Sequence, residues 1–132
     1  MTPFGTAGLV AAVLAAALHV GFFALESLAF SRPRVRRMFG VRAEDDSRPL
    51  RLFAANQGVY NLALAIAVII GIALAWSGEL ALGIGIAACA LAVMVVAALA
   101  LAISAPRLRA GSLVQGAPAL VGLAGILTLL PA

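Results

Sequence analysis

The chain has 132 residues, of which 64% are hydrophobic and 11% charged, and its mean hydropathy is +1.15. That balance excludes a water-soluble domain and makes the lipid bilayer its solvent and first partner. The net charge is +4 and the isoelectric point near 11.1, yet the arginines flank apolar stretches and have no interleaved aromatic platform, which argues for topology and anionic headgroups rather than nucleic acid.

Charged residues divide the sequence into four uncharged stretches, 1–25, 52–78, 80–106 and 110–132, each long enough for the roughly 20 residues that cross a hydrocarbon core. In lipid every backbone N–H and C=O must pair within its own segment, and Ala- and Leu-rich runs without period-2 alternation do so as helices. The expected fold class is an all-α integral membrane four-helix bundle. It forms a single domain over 1–132, with spans near 6–30, 52–76, 80–103 and 113–131 and a basic loop at 31–51.

The first stretch has no basic leader, and its apolar run exceeds the roughly 7–15 residues of a signal peptide, so it is read as a retained span. All nine basic residues are Arg. Arg32, Arg34, Arg36, Arg37, Arg42, Arg48 and Arg51 follow span one, and Arg107 and Arg109 follow span three. The loop from Trp76 to Glu79 and both termini carry none. The positive-inside bias therefore predicts both Arg loops in the cytoplasm and both termini outside. Arginine without lysine, beside abundant alanine, points to a GC-rich bacterial genome and so to a multi-pass protein of the cell inner membrane.

Polar residues inside apolar spans hold the functional information, because an ionisable group at membrane depth is costly. Span one has His19 and Glu26, which at 3.6 residues per turn share a face with Phe22 and Phe23 between them. Span two has Asn56, Gln57, Tyr60 and Asn61, which cover an arc of roughly 140° and so contact at least two neighbours. Trp76 reads as an outer-interface anchor. Span three is nearly pure apolar scaffold, with Gly83, Gly85, Ala87 and Ala88 as a small-residue surface and Cys89 as a small buried residue. One cysteine allows neither an intrachain disulfide nor a Cys-based metal site. Span four contributes Gln115 near its cytoplasmic end, and Pro118 frees the carbonyl of Val114.

Spans one and two are antiparallel, so depth can be counted from the loop that joins them. Glu26 and Asn56 each lie about 8 Å in, and His19 and Asn61 each about 17 Å in, at 1.5 Å per residue. The count predicts one polar cluster in the cytoplasmic half, built from His19, Glu26, Asn56, Gln57, Tyr60, Asn61 and Gln115, with Glu26 in reach of Asn56 or Gln57. The acidic run Glu44-Asp45-Asp46 is expected to form a solvated turn.

The stretch from His19 to Glu26, Phe39-Gly40, the run Asn56-Gln57-Gly58-Val59-Tyr60-Asn61, and Gln115-Gly116-Ala117-Pro118-Ala119 together resemble the small four-span membrane proteins of domain of unknown function 1304. The resemblance covers nearly the whole chain, and the Asn-Gln-Gly-x-Tyr-Asn run is its most specific part. It implies the fold and points to these residues without naming a reaction.

Three functions fit. In the first, the cluster binds or transports a small amphiphile, lipid, cation or proton, and the protein works as a homo-oligomer. The second is a membrane enzyme using His19 and Glu26 as an acid–base pair or as metal ligands. One His and one intramembrane carboxylate fall short of the three or four protein ligands zinc takes, and no nucleophile lies at helical spacing from His19, so the enzyme ranks below binding. No catalytic or metal residue is assigned, and no cofactor can be named. In the third, the polar groups satisfy one another and only fix helix packing.

Overall fold

Residues 3–131 are described by a computed structural model. Helix α1 runs Pro3–Phe23 and continues through a π-helical turn at Ala24–Leu28; α2 (Pro33–Met38) lies in the arginine loop; α3 is Arg48–Trp76, α4 Leu80–Ser104 and α5 Arg109–Leu127. Four helical segments, Pro3–Leu28, Arg48–Trp76, Leu80–Ser104 and Pro106–Leu127, are long and apolar enough to cross a membrane. The protein is an all-α four-helix membrane bundle.

Local chemistry fixes where the helices begin. Ser47 caps α3 by accepting a 3.4 Å hydrogen bond from the Leu50 N–H, and Pro49 fits the first turn, whose N–H groups have no helical acceptor. Helix α3 therefore starts four residues before the apolar run does. Between α3 and α4 the chain reverses over Ser77, Gly78 and Glu79, where Gly78 takes a φ of 107° that side chains disfavour. Pro118 lies inside α5, and without an N–H it cannot bond the Val114 carbonyl.

The spanning helices form a ring in which α1 packs on α3, α3 on α4, α4 on α5 and α5 back on α1. Small residues let the backbones meet. A Cβ added to Gly8 would stand 2.5 Å from the Cα of Gly125, and one added to Gly71 would stand 2.6 Å from the Gly83 carbonyl oxygen. Lipid tails are as apolar as leucine, so helices in a bilayer are held by such close packing and by hydrogen bonds. The interior between the helices holds Ala12, Ala15 and Ala16 of α1, Val68 of α3, Leu91 and Met94 of α4, and Ile126 of α5. Gly83 and Ala87 of α4 meet α3, whereas Gly85 has nothing within 4 Å of its would-be side chain, and Cys89 is exposed rather than buried.

The arginine loop is folded. Phe30 and Val35 are buried, and the Phe30 and Phe39 rings lie 5.9 Å apart. Arg36 donates to the Ser31 carbonyl at 2.6 Å and pairs with Asp46 at 2.9 Å, with both side chains 11% exposed. Asp46 in turn accepts two hydrogen bonds from Arg51, 2.8 Å from Nε and 2.6 Å from Nη2, the bidentate geometry that matches guanidinium to carboxylate. The Arg51 hydrogen bond, aided by the charges of Arg36 and Arg51, holds the Asp46 carboxyl below its ordinary range against the opposing effect of burial. The acidic run thus divides: Glu44 and Asp45 pair with Arg42 at the surface, while Asp46 ties α2 to the start of α3.

Candidate functional site

The π turn at Ala24–Leu28 is where α1 meets α3. A π turn accommodates an extra residue, so successive side chains diverge less around the axis than the 100° of an α-helix. Glu26 and Ser27 can then both reach α3. Asn61 donates from Nδ2 to Glu26 Oε2 at 2.7 Å, and Ser27 donates from Oγ to the Ala55 carbonyl at 2.8 Å. Gly58 lies under both, since a Cβ there would collide with Ser27 Oγ and stand 3.1 Å from the Glu26 Cβ. Ser27 and Gly58 are site residues that polar spacing did not single out. Adjacency to Glu26 and the glycine of the Asn-Gln-Gly-x-Tyr-Asn run were the available signals.

Glu26 is half-buried and Asn61 buried at 8% exposure. Oε1 of Glu26 accepts no hydrogen bond among the described residues, and the carboxylate has no cationic neighbour within ion-pairing distance there. The helices thus match Glu26 to Asn61, about one helical turn beyond the Asn56 or Gln57 that depth counting favoured. Helix α1 with its π turn ends at Leu28 while α3 begins at Arg48, so the first turns of α3 extend past the end of α1 on the loop side.

His19 lies deeper and is 2% exposed. Its Nδ1 bonds the Ala15 carbonyl of its own helix at 2.8 Å; a carbonyl only accepts, so Nδ1 holds the proton and Nε2 is left as an acceptor. The ring meets Phe22 edge-on, with centroids 5.6 Å apart. No hydrogen bond joins His19 to Glu26 among the described residues. On the other side of α1, Gly122 abuts Ala12, and seven residues along both antiparallel helices the same stripes bring Gln115 to the level of His19. Gln115 is partly buried.

Asn56, Gln57 and Tyr60 face outward and are exposed. Counted back from Trp76 at 1.5 Å per residue, Asn56 lies about 30 Å away, one hydrocarbon thickness. Asn56 and Gln57 therefore stand at the membrane boundary, with Tyr60 one turn inside, the level where amphipathic rings are favoured. Asn61 and Glu26 are further in. Of the seven expected site residues, Glu26 and Asn61 are joined, His19 and Gln115 share a level beneath them, and Asn56, Gln57 and Tyr60 form an outer edge. The described residues include no group of three or more His, Cys, Asp or Glu that could hold a metal ion.

A ring of four membrane-length helices, with a carboxylate-bearing contact between the first two, defines a polytopic α-helical membrane protein. The family described as protein of unknown function (DUF1304) matches residues 13–127, and the chain belongs to it. That span contains every residue of the cluster. No curated protein and no solved structure matches the chain.

Proposed function

We propose that this protein binds, and moves between membrane and cytoplasm, a proton or a small cation, including the cationic head of an amphiphile, at Glu26. One observation carries the reading: among the described residues an intramembrane carboxylate is half-exposed, bonded by a single neutral amide, and has an oxygen left over. A group so costly at membrane depth is a functional site by default, and π turns recur at such sites. Asn61 orients the carboxylate, Ser27 and Gly58 hold α1 against α3, and Gln57 and Tyr60 line the approach from the interface. The proposal includes the orientation read from the arginines, with both termini outside and Glu26 in the cytoplasmic half of the inner membrane. It also includes assembly as a homo-oligomer through the outer edge of α3.

The test uses purified full-length protein in nanodiscs and tetraphenylphosphonium as the probe, titrated calorimetrically across pH. Binding should weaken as the solution is acidified, and Glu26→Gln should abolish both the binding and its pH dependence while leaving thermal stability nearly unchanged. A Glu26→Gln protein that binds with the same pH response overturns the site. Orientation is checked separately, in a Cys89→Ala background because Cys89 is exposed. A cysteine at Gly78 should react with a membrane-impermeant reagent on intact cells, and one at Asp45 should not.

A further inference from the structure

On the side of the ring opposite the α1–α3 contact, α4 and α5 leave a groove of about 310 Å³ between them, lined by Val95, Ala98, Leu99 and Ala102 of α4 and by Leu113, Gly116, Ala117 and Leu120 of α5. Its floor is fixed. Gly116 sits against the Ala98 methyl, closer than any Cβ would permit, and Ser112 donates from Oγ to the Ala98 carbonyl at 2.6 Å. The side chain lining is apolar except at one end, where Arg109 and Ser112 close the groove.

Arg109 is held in place there. Its Nε donates to the Ala102 carbonyl at 3.3 Å, one of the last-turn carbonyls of α4 that no helical N–H can reach. Both terminal guanidinium nitrogens remain without a protein partner among the described residues. From Arg109 to Leu120 is about 16 Å along α5, close to the roughly 15 Å depth of one leaflet's hydrocarbon. A fixed cation at the interface, at the head of an apolar trough one leaflet deep, matches one molecule in length and charge.

We propose that the α4–α5 groove is a binding site for one anionic phospholipid of the arginine-side leaflet, with an acyl chain in the trough and the phosphate on Arg109. The planar fork of arginine suits two phosphate oxygens at once. The bound lipid covers the α4–α5 seam and leaves the Glu26 site on the opposite seam untouched, so the two sites are separable.

Native mass spectrometry of the delipidated full-length protein tests this, with phosphatidylglycerol and phosphatidylcholine of the same acyl composition added in turn. One phosphatidylglycerol should be retained in preference to phosphatidylcholine by about fivefold, the scale of one basic residue at a lipid surface. Arg109→Gln should bring the two lipids level, because the charge is lost while the length of the side chain is largely kept. Ala117→Phe should fill the trough and reduce retention of both, and Arg107→Gln, outside the groove, should preserve the preference. Circular dichroism on each variant confirms that the helices persist. Equal retention of the two lipids by the unmodified protein, or a preference that survives Arg109→Gln, overturns the proposal. Inorganic phosphate at the same concentration should fail to compete, and full competition by it would show a bare anion site instead and overturn the lipid assignment.

Discussion

The α1–α5 and α1–α3 contacts share one helix and hold it by opposite means. Against α5, α1 presents Gly8 and Ala12 to Gly125 and Gly122, and backbone touches backbone. Against α3, it presents Glu26 and Ser27, and the helices are joined through hydrogen bonds of 2.7 and 2.8 Å. Around Gly8 and Ala12 the first contact has no titratable group and no room to change. The second has both a carboxylate and a turn that holds an extra residue, features that adhesion alone does not call for.

The strongest way to break this comparison is to overfill the α1–α5 contact. Gly8→Val places a branched side chain where even a Cβ would lie 2.5 Å from the Gly125 Cα, and should destabilise by roughly 3 kcal/mol, the upper end for overpacked interiors. Thermal unfolding in detergent measures it, and a loss smaller than that of any α1–α3 variant would reverse the order of the two contacts. Next comes Asn61→Leu, which strips Glu26 of its one hydrogen-bond donor among the described residues and should cost about 1–2 kcal/mol. Glu26→Gln preserves an acceptor for Asn61 and should cost about 0.6 kcal/mol or less in the same assay. If Glu26→Gln proves as damaging as Asn61→Leu, the carboxylate is structural and the proposed function fails.

The smallest effect belongs to the arginine loop. Asp46 is held below its ordinary carboxyl range in the folded protein, chiefly by the Arg51 hydrogen bond. A depressed folded value means its stabilisation is present above the unfolded value, near 3.9 for aspartate, and is lost as pH falls through the folded one. Hydrogen-exchange protection in residues 29–47, taken relative to the intrinsic rate at each pH, should therefore fall on acidification below about pH 4. Asp46→Asn should show fast exchange already at neutral pH and lose that acid step. An unchanged acid step in the variant would assign it to another group.

Hydropathy and the absence of charge made the four helices legible from composition, because a bilayer tolerates almost nothing else. The polar residues were legible for the same reason, and the contact between α1 and α3 was anticipated from the antiparallel connection. Its register was not. The first turns of α3 run past the end of α1, and the π turn in α1 reflects how Ser27 and Glu26 settle against Gly58, which no periodicity of α1 alone encodes. Asp46 was illegible in another way: three consecutive acids look alike, and only the folded loop decides which one meets Arg36 and Arg51. Gly85 and Cys89 show the same limit, since a small residue fits either a helix contact or a lipid-facing surface.

The backbone-to-backbone contacts, Gly8 with Gly125, Gly122 with Ala12, and Gly71 with Gly83, all lie in the half of the bundle that holds the start of α1, the end of α5 and the Gly78 turn. In the arginine half the nearest atom to each of two contact glycines belongs to a side chain, Ser27 Oγ for Gly58 and the Ala98 methyl for Gly116, and the α4–α5 trough opens there. Side chains repack more readily than backbones that already touch, so a change of lateral pressure in the arginine-side leaflet should act first on the seams that hold Glu26 and Arg109 and last on the glycine-stitched end.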